Sequence, residues 1–132
     1  MKLLIDSDFL FGLFVLHDPH HDKTNKIFKK LIEKKEDLVA LNIVVQETAT
    51  VLSKKAGQAA SLDFLERFVH LPLKILVMDE SLESDAWEVF KKHTKKGTSF
   101  VDCANLAALE KYKFDGILSF DEFYQKKVRI NS

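Results

Sequence analysis

Four carboxylates, Asp6, Glu47, Asp102 and Asp121, stand where the chain otherwise has apolar residues or element ends. Asp6 and Asp121 close the apolar runs LLID (3–6) and GILSFD (116–121), while Glu47 and Asp102 interrupt the apolar faces of predicted helices. A buried acid costs free energy unless it is paired, hydrogen-bonded or bound to a metal. Carboxylate oxygens are hard ligands that suit Mg²⁺ or Mn²⁺ over zinc. Four of them converging without metal would repel one another and raise at least one pKa. One or two divalent cations would neutralise the cluster, activate a water and stabilise charge on a phosphate during in-line displacement. Such chemistry needs no Ser, Cys or His nucleophile, and the chain offers no convincing triad.

Each acid also has a simpler reading. Asp6 could cap a helix, although Ser7 and Asp8 can do the same and Asp8 is the better pure cap. Glu47 falls three residues after Val44 and four before Val51, so it could be a solvated acid at the edge of an apolar stripe. Asp102 could favour a helix dipole from the first turn, yet Leu106 and Leu109 follow it at i+4 and i+7 on one stripe. Asp121 could cap whatever follows its strand. Four separate coincidences are less economical than one shared cause.

The elements that must position these acids follow from periodicity and turn chemistry. Residues 2–5 read as a buried strand and 8–15 as a helix capped by Ser7 or Asp8. Residues 17–22 read as a loop and 23–35 as a helix with Ile27, Phe28, Leu31 and Ile32 on one face. Residues 38–41 form a short strand, and Asn42 caps a helix over 43–55 that Gly57 ends. A helix over 59–70, a strand over 73–77 and a helix over 81–93 follow. Thr98 or Ser99 starts a helix over 100–112, with Cys103, Ala104, Ala107 and Ala108 small enough for close approach to a sheet. Residues 116–119 form a strand, a short helix runs through Phe123, and 128–130 add an edge strand. Alternating strands and helices predict an α/β fold: a three-layer α/β/α sandwich with a mostly parallel central sheet of four to five strands. In such sheets function gathers beyond the carboxyl ends of the strands, where Asp6 and Asp121 fall.

The 132 residues suit one domain over 1–132, with four Gly, two Pro and no repeat or linker. No apolar run approaches the roughly 20 residues needed to cross a bilayer, and the N-terminal stretch lacks the pattern of a signal peptide. Cys103 is the only cysteine, which excludes an internal disulfide and a thiolate cluster and points to a reducing, cytoplasmic setting. With 20 basic and 20 acidic residues the formal net charge is zero, so binding a polyanion requires cations segregated on one face. Lysine pairs recur at helix ends, and Lys54, Lys55, Lys95 and Lys96 flank the acidic segments. Phe9, Phe11 and Phe14 read first as core or interface residues and second as base-stacking ones. His17, His20 and His21 read as a solvated loop.

The order and spacing of LLIDSDFL, VVQETATVL, SFVDCANLAALEKY and GILSFDEFYQK resemble the PIN domain, and within it the VapC-like toxins of prokaryotic toxin–antitoxin pairs. The resemblance covers essentially the whole chain. It implies a PIN-like fold and a Mg²⁺- or Mn²⁺-dependent endoribonuclease with an RNA substrate, a cognate antitoxin, a homodimeric assembly and no membrane. It carries over Asp6, Glu47, Asp102 and Asp121 as catalytic metal ligands, with Ser7 and Ser119 as supporting hydroxyls. The family often has a further acid or Asn soon after the third one, and Asn105 alone fills that place here. Three other readings stand beside it: a non-catalytic RNA- or protein-binding PIN-like module, an RNA-processing nuclease that is not a toxin, and, prompted by IDSD (5–8), a phosphatase with an Asp nucleophile.

Overall fold

The computed structural model describes residues 1–132. Five strands, β1 (Lys2–Ile5), β2 (Asp37–Leu41), β3 (Lys74–Leu76), β4 (Gly116–Leu118) and β5 (Arg129–Ile130), form one sheet in the order β3-β2-β1-β4-β5. Every neighbouring pair is parallel. Six helices connect them: α1 (Ser7–Phe14), α2 (His21–Glu33), α3 (Asn42–Ala56), α4 (Gln58–Phe68), α5 (Glu80–Lys92) and α6 (Phe100–Lys111). The chain steps outward from β1 to β2 to β3 and then crosses back to β4. Right-handed crossovers therefore send α1–α4 to one face and α5–α6 to the other. Packing agrees, since α3 lies against α4 and α1, and α5 against α6. The order reverses between β1 and β4, which makes the cleft beyond their carboxyl ends the switch point of the sheet.

The central strands read as continuous apolar runs because both faces are covered. Leu3, Leu4, Ile5, Ile117 and Leu118 are fully buried, each contributing roughly 1.5–3 kcal/mol through removal from water. Ala104 and Ala108 of α6 are also fully buried, small side chains in the crowded core. Gly116 is required for a similar reason: a Cβ there would meet the Val128 carbonyl oxygen at 2.8 Å, so β4 and β5 lie too close for a side chain.

Several boundaries differ from expectation. Asp6, and not Ser7 or Asp8, is the N-cap of α1, accepting the Ser7 N–H. Asn42 is the first residue of α3 and its Oδ1 accepts the Met78 N–H at 2.9 Å, tying that helix to the segment after β3. The predicted loop over 17–22 ends sooner, because His21 already opens α2. No helix follows β4; residues 122–124 form a turn, stabilised by the Phe123 N–H donating to Asp121 Oδ1 at 2.9 Å. Ile32 lies outside the buried face of α2, which Thr24, Phe28 and Leu31 supply.

Candidate active site

β1 delivers Asp6 to the switch point, and its backbone N–H still donates to Leu118 O on β4 at 3.0 Å. The first turn of α6 delivers Asp102, fixed by Ser99, whose Oγ accepts the Asp102 N–H at 3.3 Å. The turn after β4 delivers Asp121. One carboxylate oxygen from each of Asp6, Asp102 and Asp121 lies within 4.8 Å of the others. Glu47, on α3, stays outside that trio, although its charge is among those acting on Asp102.

Buried hydrogen bonds hold the cluster. Asp6 is 2 % exposed. Its Oδ1 accepts the Ser7 N–H at 2.8 Å and Asn105 Nδ2 at 3.2 Å, and its Oδ2 accepts the Ser119 hydroxyl at 2.8 Å. Ser119 Oγ in turn accepts the Asp121 N–H at 3.0 Å. Asn105 also donates to the Tyr124 hydroxyl at 3.1 Å, and that hydroxyl donates to Asp102 Oδ1 at 3.2 Å. A single polar chain thus links Asp121, Ser119, Asp6, Asn105, Tyr124 and Asp102. Of the two hydroxyls singled out in the sequence, Ser119 bonds Asp6 through its side chain and Ser7 through its backbone.

Tyr124 escaped sequence reasoning. It lies beyond the last acid in a run of mixed polarity, and nothing local marks its phenol as pointing inward. Asn105, which the resemblance set at the family's place for a further acid or Asn, is fully buried and joins Asp6 directly and Asp102 through Tyr124. Asp8 does not cap. Its Oδ2 accepts the Phe120 N–H at 2.9 Å, tying α1 to the segment that carries Asp121.

The electrostatics are those of crowded, partly buried acids. Burial, then the charges of Asp8 and Asp102, push the Asp6 carboxyl well above the usual range, against the Ser119 and Ser7 hydrogen bonds. Burial and the neighbouring Asp121 push Asp102 up to about 7. Burial raises Asp8 to about 6, and Asp121 adds to the shift. None of the molecule's ion pairs involves these acids. Three hard oxygen donors in reach of one another, without a protein cation to balance them, fit a divalent ion such as Mg²⁺ or Mn²⁺.

Asp102 and Asp121 open onto a cavity of about 710 Å³ that Lys95, Lys96, His93 and Phe123 also line. Lys55 lines a second cavity, of about 270 Å³, together with Ser7, Asp8 and Thr48. Phe9 is core, fully buried and stacked 6.0 Å from Phe120. The histidines do not gather as ligands: His21 bonds the Gly12 carbonyl through Nδ1 at 2.8 Å, and His20 stacks on Phe120 at 3.8 Å. Cys103 is fully buried and burial raises its thiol pKa, so it is not a nucleophile.

A doubly wound parallel sheet with an acidic trio at its switch point defines a known class, and comparison with known proteins agrees. The PIN domain family model matches residues 3–130. The VapC ribonuclease of Archaeoglobus fulgidus is 35 % identical over 124 residues, covering 92 % of this chain and 78 % of that protein. The chain therefore belongs to the PIN domain family, among its VapC members. The 23S rRNA-specific endonuclease VapC20 of Mycobacterium tuberculosis is 25 % identical over 129 residues, covering 93 % of this chain and 96 % of that protein. The crystal structure of M. tuberculosis VapC20, described as a toxin cleaving the sarcin–ricin loop, superposes with a TM-score of 0.77 at 24 % identity, over 91 % of this chain and 90 % of that one. VapBC2 of Rickettsia felis, solved with a DNA fragment of its promoter, gives 0.75 at 14 % identity over 99 % and 98 %. At those identities the structural likeness concerns the fold.

Proposed function

We propose that this chain is a Mg²⁺- or Mn²⁺-dependent endoribonuclease that hydrolyses RNA phosphodiester bonds. The observation that carries this reading is the convergence of Asp6, Asp102 and Asp121 at the switch point. In this reading Asp6, Asp102 and Asp121 hold the cation, and Glu47 joins from α3 as a fourth acid. A bound divalent cation supplies Lewis-acid activation of water and charge stabilisation at phosphorus. The chain's own groups do the rest. Ser119, Asn105 and the Ser7 N–H fix both oxygens of Asp6. The Tyr124 phenol, whose pKa burial raises, stays protonated and orients Asp102 as a donor. Lys95 and Lys96, lining the same cavity as Asp102 and Asp121, hold the phosphate backbone.

The likeness to VapC and VapBC proteins supports a toxin restrained by a cognate antitoxin, and in this reading it acts in the cytoplasm as a homodimer. No helix is long and apolar enough to cross a membrane. The test is cleavage of RNA by the purified chain. Activity should vanish with EDTA, return with Mn²⁺, and fall by on the order of 10²-fold or more in Asp6→Asn, the loss expected when a group central to transition-state charge is removed. A folded Asp6→Asn protein with full activity would reject the assignment. A folded wild-type chain that binds no Mn²⁺ by calorimetry would favour the non-catalytic PIN-like module.

A further inference from the structure

The chain is neutral overall, yet one helix is not. Between Asp22 and Lys35 there are six lysines and two acids. Lys23, Lys26, Lys30 and Lys34 recur at i, i+3, i+7 and i+11, which sets them along one face of α2. All four line a single groove of about 680 Å³ between α2 and the end of β5, with Ile27 and Ile130 among its apolar walls. None of the four forms an ion pair; the molecule's ion pairs use other cations. From Lys23 to Lys34 the row spans about 16 Å at the rise of an α-helix. One acid, Asp22, shares the groove at its upper end.

The start of α2 is tied to the segment that carries Asp121. Pro19, at the same end of the groove, directly precedes His20, which immediately precedes α2. The His20 ring lies 3.8 Å from that of Phe120 at an interplanar angle of 5°. Phe120 is the neighbour of Asp121 in sequence. A polyanion reaching from the acids across this stacked pair would meet the lysine row of α2.

We propose that the α2 groove is a second, sequence-independent site that holds the phosphate backbone of the substrate RNA away from the cleaved bond. A regular row of ammonium groups over a shallow apolar floor suits a repeating phosphate chain. The inference deepens the ribonuclease reading and rests on it for the identity of the polyanion. Its consequence is that affinity grows with RNA length beyond what the acidic cleft and Lys95–Lys96 can contact.

The test measures equilibrium binding of a fluorescent long-stemmed RNA hairpin and of a short single-stranded oligonucleotide, in EDTA, with the RNA recovered intact. Lys26→Glu/Lys30→Glu/Lys34→Glu should weaken hairpin binding about tenfold or more. It should also reduce the magnitude of the slope of log K against log salt by about 2 to 3, as expected when roughly three phosphate contacts are lost. Binding of the short oligonucleotide should change far less. The neutral triple variant, Lys→Gln at the same positions, should show the same trend with a smaller loss, and circular dichroism establishes that both are folded. Equal hairpin affinity and equal salt slope in folded variants overturn the proposal. So does a wild-type groove that binds a poly-glutamate peptide while the hairpin's salt slope is unmoved by the substitutions, which would assign the face to an acidic protein. Because binding is read without cleavage, a chain that grips the hairpin through α2 yet cuts no RNA would refute the ribonuclease reading and leave this one standing.

Discussion

The individual acids set the pH behaviour of the molecule. Asp102 at about 7 and Asp8 at about 6 lie above the ordinary carboxyl value of 3.8, and burial holds Asp6 well above that value too. A carboxyl that binds its proton more tightly when folded stabilises the fold at low pH. That contribution is complete below about pH 4 and is lost as pH rises through about 6 to 7. In chelator, the melting temperature should therefore fall between mildly acidic and neutral pH. Asp102→Asn should melt higher than wild type at neutral pH, with a flatter pH dependence, while losing RNA cleavage. Scanning fluorimetry across pH checks this, and a wild-type melting temperature that climbs toward neutrality in chelator would contradict it. At this scale the sequence revealed which acids were misplaced. It did not reveal Tyr124 or the true partner of Asp8, because both act across the fold on residues over a dozen positions away.

Among the elements, helix starts separate stability from function. Asp79 caps α5 by accepting the Leu82 N–H at 2.9 Å, away from the acids. Ser99 caps α6 and holds the turn that bears Asp102. Loss of either cap costs about 1 kcal/mol of stability. Asp79→Ala should reduce the denaturation midpoint and leave RNA cleavage per folded molecule unchanged. Ser99→Ala should reduce both, because the start of α6 loosens beneath Asp102, a proposed metal ligand. Equal activities in the two variants would show that the α6 cap is structural only. The sequence narrowed this cap to Thr98 or Ser99, because a hydroxyl residue ahead of an apolar run is a local signal, and the structure selects Ser99. Asn42 carries the same signal and misled, since its side chain reaches Met78, 36 residues away.

At the scale of the whole molecule, the proposed cation site would couple binding to folding. A ligand that binds the folded chain and not the unfolded one stabilises it by mass action, about 2.7 kcal/mol at a hundredfold excess over its dissociation constant. Saturating Mn²⁺ should raise the melting temperature more at neutral than at acidic pH, where protonated acids compete. The increase should disappear in Asp6→Asn. An equal Mn²⁺ shift in that variant would move the cation away from the acidic trio.

By itself the sequence determined the layer architecture, because alternating apolar strands and amphipathic helices have few packings that bury both. It also determined Asp6 and Asp121 as residues beyond strand ends, since that placement is local. The strand order β3-β2-β1-β4-β5, which creates the switch point, came only with the tertiary structure. So did the convergence of Asp6, Asp102 and Asp121 without Glu47 in the trio, and the Asn105–Tyr124 bridge between acids. Local patterns record which face of an element is buried. Which distant side chain meets it there is decided by packing, and the chemistry of this centre lies in those distant meetings.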